Sequence, residues 1–100
     1  MPAVARKGDT CTGHECFPPR NSTEGSPNVF CNGLPVHRVG DGWAVHTCTH
    51  PEIPHGSHGG VLASGSSKVF VNGQPIARIG DAVSCGSSVA TGSSNVFAGG

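Results

Sequence analysis

The sequence predicts an all-β domain, and three observations carry that prediction: a composition rich in turn formers, a phrase that recurs, and two chain ends that each hold half of the same phrase. Among the 100 residues there are 16 glycines and 8 prolines, with one tryptophan and no tyrosine. Such a composition, poor in helix formers, suits short strands joined by tight turns. The length has room for a single domain over residues 1–100 and for a small core, which a metal, disulfides or a partner is expected to supplement.

The phrase reads GSPNVFCNGLPVHRVGD from Gly25 and GSSKVFVNGQPIARIGD from Gly65. One supersecondary unit used more than once leaves this signature. Within it, VFC and VFV form a first short strand, and Asn32-Gly33 and Asn72-Gly73 supply the positive φ angles of a two-residue hairpin turn. PVHRV and PIARI then return as the second strand. The proline at its start removes one ladder donor, which an entry or edge position tolerates.

The N-terminal stretch from Ala3 to Asp9 aligns with Pro75 to Asp81, the second half of the unit, while SSNVFAGG from Ser93 aligns with the first half. Joined, they make a third copy. The expectation is a closed ring of three pseudo-threefold β-hairpin repeats, with Val96 and Phe97 pairing beside Val4 and Ala5. An open solenoid would call for distinct capping units at its ends.

Three unequal connectors, residues 10–24, 42–64 and 82–91, each leave from a Gly-Asp and return to a Gly-Ser. In a ring they emerge on one side and converge. His14 lies five after Asp9, His46 five after Asp41, and Cys85 four after Asp81; His58 and Cys85 each lie seven before the next Gly-Ser. The longest connector can contribute from both of its limbs, so His14, His46, His58 and Cys85 are the four candidate ligands of a tetrahedral metal site. Three imidazoles and one thiolate suit Zn²⁺ better than Mg²⁺ or Ca²⁺, and four protein ligands make a closed, structural site. Neither CxxC nor HExxH occurs, so repeat register alone carries this reading.

The other histidines and cysteines have quieter readings. His50, His55 and His37 are read as solvent-facing, His37 standing where the other copies have Ala5 and Ala77. Cys16 and Cys48 share a His-x-Cys spacing and can coordinate, form a disulfide or pack, packing being preferred. Cys31, in register with Val71 and Ala98, and Cys11, in register with Trp43 and Val83, are read as small core residues. Phe30, Phe70 and Phe97 hold one place in all three copies: packing about the axis is the simpler reading, seating a threefold partner the functional one. Asp9, Asp41 and Asp81 are read as turn caps, with Arg6, Arg38 and Arg78 as their partners.

Six Lys and Arg balance six Asp and Glu, so no net field holds a nucleic acid or an anionic membrane. MPAVARKGD lacks the apolar core of a signal peptide, and five cysteines beside six histidines fit a reduced, metal-binding chain better than a disulfide framework.

With AVARKGD, LPVHRVGD and QPIARIGD, the GSxxVF phrases, and GHECFPPR, HGGVLASGS and CGSSVATGS in hand, the sequence resembles the PAAR-repeat family over essentially its whole length. These are tip proteins of contractile phage tails and type VI secretion systems. No copy here spells Pro-Ala-Ala-Arg, and the first begins with Ala3. The resemblance implies a small cone with a triangular base that caps and sharpens a trimeric β-helical spike, one tip per trimer. It also implies a zinc near the apex, held by residues that correspond to His14, His46, His58 and Cys85. The expected role is mechanical, with no catalysis and only transient contact with the target membrane. The expected location is a virion tail or secretion-apparatus tip, assembled in the bacterial cytoplasm, and any effector cargo is expected to be separate.

Two other classes compete. A small zinc hydrolase would need an open coordination position and a base, for which Glu52 in HPEIPHGSH is the acidic candidate. A Ca²⁺-binding solenoid would need more acidic residues and a repeat that continues.

Overall fold

In the computed structural model, which describes residues 1–14, 17–47 and 57–100, the phrase folds as a hairpin wherever it occurs whole. Strand β1 (Phe30–Cys31) pairs with β2 (Leu34–Pro35), and β5 (Phe70–Val71) pairs with β6 (Gln74–Pro75), all antiparallel. At the turns Asn32 and Gly33 have φ of 55° and 78°, and Asn72 and Gly73 have 54° and 79°. Two consecutive positive φ angles match the right-handed twist of the flanking strands, which is why Asn-Gly sits there. Between the hairpins, β3 (Gly42–Thr47) and β4 (Ser57–Val61) form a longer antiparallel pair inside the longest connector, with a register shift between Trp43 and His46. Among the described residues there is no helix.

The termini build the third hairpin in the same register. Phe97 pairs with Ala3 as Phe30 pairs with Pro35 and Phe70 with Pro75. The Val4 amide donates to the Val96 carbonyl at 2.9 Å, as Val36 donates to Val29 and Ile76 to Val69 at 3.0 Å. The expected closure is therefore present, with Phe97 opposite Ala3 and not opposite Val4 or Ala5.

From Val4, Val36 and Ile76 onward each return strand turns to a neighbouring unit, so the second strand is shorter than the sequence alone suggests. Arg6 pairs with Val36, Arg38 with Ile76 and Val4 with Arg78. At the centre the Ala5 amide donates to Ala77, Ala77 to His37 and His37 to Ala5, at 2.9, 3.0 and 3.1 Å. A second circuit runs from Lys7 to Pro35, Val39 to Pro75 and Ile79 to Ala3, at 2.8, 3.0 and 2.9 Å. Two cyclic sets of backbone bonds leave the ring no free edge at these positions, which removes the usual site of strand-to-strand aggregation.

Each Arg-x-Gly-Asp makes the same turn. The amides of Asp9, Asp41 and Asp81 each donate to the carbonyl of the arginine three residues back at 3.0 Å, while Gly8, Gly40 and Gly80 have φ of 93–97°. A positive φ at the third position defines a type II turn, so glycine is required. Each Asp carboxylate accepts from the arginine's own amide and from its guanidinium, giving ion pairs at 2.9 Å for Arg6–Asp9 and Arg38–Asp41 and 3.1 Å for Arg78–Asp81. Burial alone would raise the Asp9 pKa, but hydrogen bonds from Arg6 and Thr91 outweigh it and hold the carboxyl below its ordinary value. The sequence assignment of caps and partners is correct.

The Gly-Ser that opens each unit also has a physical cause. A Cβ on Gly25, Gly65 or Gly92 would lie 2.7–2.8 Å from Pro35 Cβ, Ile76 O or Val4 O, so the backbones approach too closely for any side chain. Ser26, Ser66 and Ser93 are buried and each accepts, through Oγ, the amide three residues on at 2.9 Å. Such local caps satisfy backbone donors that the short strands leave unpaired.

Two small apolar clusters flank the ring. The hairpin side packs Val4, Cys31, Val36, Val71, Ile76 and Ala98; the loop side packs Ala5, Cys11, Trp43, Leu62, Ala77, Val83 and Val89. Cys11 and Cys31 are thus core residues and carry free thiols. His37 corrects its solvent-facing reading: it is fully buried, donating from Nδ1 to the Glu24 carbonyl at 2.8 Å and meeting Trp43 edge-on at 5.2 Å. The pattern copied at Ala5 and Ala77 marks an inward position, which the polarity of the imidazole disguised. Phe30, Phe70 and Phe97 correct the packing reading, because they are 58%, 56% and 49% exposed. With a period of two, Cys31, Val71 and Ala98 point inward and the phenylalanines before them must point out. The body measures 43 × 24 × 21 Å.

Candidate metal centre

On the loop side the three connectors pair with the Gly-Asp turns before reaching outward. Ser22, Leu62 and Val89 donate their amides to the carbonyls of Asp9, Asp41 and Asp81 at 2.9–3.0 Å, and each accepts from Gly8, Gly40 or Gly80 in return. The connectors also pair with one another, Thr23 to Gly42, Ala63 to Ala82 and Ala90 to Thr10. Residue 24, 64 or 91 then caps the start of a neighbouring loop, through Glu24 Oε1 on the Gly42 amide, Ser64 Oγ on Ala82 and Thr91 Oγ1 on Thr10.

This frame brings together the four residues singled out by register. One ligand atom from each of His14, His46, His58 and Cys85 lies within 4.8 Å of the others. His46 and His58 face each other across the β3–β4 ladder, with Nε2 atoms 2.7 Å apart, and His14 Nε2 lies 3.0 Å from His58 Nε2. Cys85 is presented by a tight turn in which the Gly86 amide donates to Val83 at 3.0 Å. A tetrahedral metal with nitrogen and sulfur ligands at about 2.1 and 2.3 Å spans edges of about 3.3–3.8 Å, so His14 and His46 would each have to draw back slightly from His58 to admit an ion. The set could hold a metal ion.

The surroundings favour the coordinating form of the imidazoles. His46 donates from Nδ1 to the Pro18 carbonyl at 2.9 Å, which leaves the Nε2 lone pair directed into the cluster. Burial, then the neighbouring His46 and His14, hold the His58 pKa below its ordinary value. A neutral imidazole is the species a metal binds.

Sequence reading missed Phe17. Its ring is stacked on His14 at 4.9 Å and tilted against His46 at 4.9 Å and His58 at 4.1 Å. A signal existed: of four phenylalanines, it alone falls outside the repeated phrase. Cys16, Cys48, His50, Glu52 and His55 lie outside the described residues. Four protein donors converge, the number that a closed structural site uses.

Comparison with protein families matches residues 54–100 to the family described as PAAR motif. It spans His58, Cys85, the second hairpin and the C-terminal half of the third. A search of curated proteins found no match.

Proposed function

From a chain that carries a PAAR motif over residues 54–100, as a PAAR-repeat protein does, we propose a non-enzymatic, zinc-binding tip that caps and sharpens a trimeric β-helical spike in a contractile injection machine. The observation that carries this reading is the convergence of His14, His46, His58 and Cys85 beside a closed three-unit ring. Three imidazoles and a thiolate match the ligand preferences of Zn²⁺. When bound, the ion would supply cross-links between the three connectors.

A tip driven into an envelope must stay folded under load. The ring resists through backbone bonds that close on themselves, and the loops resist through side chains gathered at one point. On the hairpin side Phe30, Phe70 and Phe97, with Val29, Val69 and Val96, form an exposed apolar set repeated three times. Such a surface fits a threefold partner, and exposed apolar patches of this kind mark interaction sites. One tip would seat on one spike trimer, on a phage tail or a type VI apparatus assembled in the bacterial cytoplasm.

The test is calorimetry of the zinc-loaded protein with the recombinant trimeric spike of its own apparatus. Saturation at one chain per trimer is expected, and no heat or co-elution would defeat the tip assignment.

A further inference from the structure

Around the cluster, the histidine rings have an aromatic neighbour whose place the ligand geometry alone does not require. Phe17 is 6% exposed, and its centroid lies within 4.1–4.9 Å of all three imidazoles. Its backbone holds it there. His14 and Phe17 exchange both backbone hydrogen bonds, at 3.0 and 2.7 Å. Gly13, at φ +71°, makes that close approach possible, since a Cβ there would sit 2.6 Å from the Phe17 carbonyl oxygen. The next residue, Pro18, supplies the carbonyl that orients His46. One short strap therefore delivers a ligand, an aromatic cover and an acceptor for a second ligand.

We propose that Phe17 is the cover of the metal centre, a positioning residue that fixes the orientation of the three imidazoles and sets how long the metal stays bound. This rests on the metal-centre reading above. A ring packed over the histidines restricts rotation about their χ2 angles and keeps water and chelators from that side. An imidazole that has left the metal is thereby held close enough to rebind. Ligand rotation is the first step of metal loss, so removing the ring should act on the release rate before it acts on the fold.

The experiment loads wild type, Phe17→Ala, Phe17→Leu and Ile76→Ala with Zn²⁺ and follows release into excess EDTA, alongside the unfolding rate of each loaded protein. Ile76 belongs to the hairpin-side cluster, so its truncation loosens the fold without touching the imidazoles. Phe17→Ala should release zinc about tenfold faster than wild type, within the range expected for groups that support metal ligands. Phe17→Leu should fall between the two, and Ile76→Ala should stay close to wild type. With Co²⁺ in place of Zn²⁺, the visible d–d band of Phe17→Ala should move while that of Ile76→Ala does not. Equal release and an unmoved band in a metal-loaded Phe17→Ala overturn the role of Phe17 and leave the metal centre standing. Equal acceleration in Ile76→Ala overturns it too, since release would then follow global loosening. Should Phe17→Ala fail to fold, Phe17→Leu decides, and wild-type release from it counts against the proposal. If wild type takes up no zinc or cobalt, the metal reading and this inference fall together.

Discussion

The hairpin side and the loop side of this protein use opposite means to hold shape. On the hairpin side three near-identical units repeat the same register, the same type II turn and the same serine cap, and backbone bonds run around the ring. On the loop side the connectors differ in length, and four side chains from them, three imidazoles and one thiol, converge on one point. Symmetry closes the first region; side-chain chemistry closes the second. A threefold ring can be built from backbone because every unit offers the same donors and acceptors. A tetrahedral cluster needs four ligands from three loops, so one loop must give two and the symmetry is lost there.

The largest expected effect follows from that asymmetry. His46→Ala should reduce metal content from about one per chain to near zero, measured by elemental analysis, and should cost at least several kcal/mol of stability, since binding energy at structural zinc sites is folding energy. On the hairpin side a single change has less leverage. Asp41→Ala removes one of three equivalent Arg-Asp turns and leaves Arg38 mostly buried without its anion; a loss of about 3 kcal/mol in chemical denaturation is expected. Metal content should stay unchanged in that variant, and a drop would show that the two regions are not separable.

His37 offers a third way to probe the boundary between them. Its pKa is lowered chiefly by burial, against the raising influence of the Glu24 carbonyl and Asp41, with Arg38 adding to the lowering. The unfolded chain therefore binds a proton at His37 that the folded one does not. Stability is full above the unfolded value of about 6.5 and falls as pH drops below it, by up to about 1.4 kcal/mol per pH unit until the folded pKa is reached. His37→Ala should flatten that slope relative to wild type in parallel acid titrations, the contribution of the metal ligands being common to both. The smallest effect on stability belongs to Phe70→Ser, expected within about 0.5 kcal/mol because the ring is exposed. The same variant should weaken spike binding; unchanged binding from a triple variant at Phe30, Phe70 and Phe97 would remove that face as the docking surface.

How much was legible in the sequence differs between the two regions as well. The hairpins, their turns and the joining of the termini could be read from repetition, because Asn-Gly and Gly-Asp need particular backbone conformations. The convergence of His14, His46, His58 and Cys85 could be read from loop register, although their spacing follows no standard motif. The burial of His37 was not legible, since polarity argued for solvent while its position, shared with Ala5 and Ala77, argued for the axis. The exposure of the three phenylalanines was misread for the opposite reason: hydrophobicity argued for the core, while the alternation of a two-residue strand had already assigned the inward place to Cys31, Val71 and Ala98. Phe17 escaped because its packing depends on how three loops meet, which no single segment encodes.

Hydrogen exchange of the zinc-loaded protein, before and after chelation, tests the two-region account most directly. Protection should fall in the connectors, at Thr12, His14, Ala44 and Ser84, while the ring amides of Ala5, His37 and Ala77 keep theirs. Equal loss of protection at both sets, or no change at either, would contradict it.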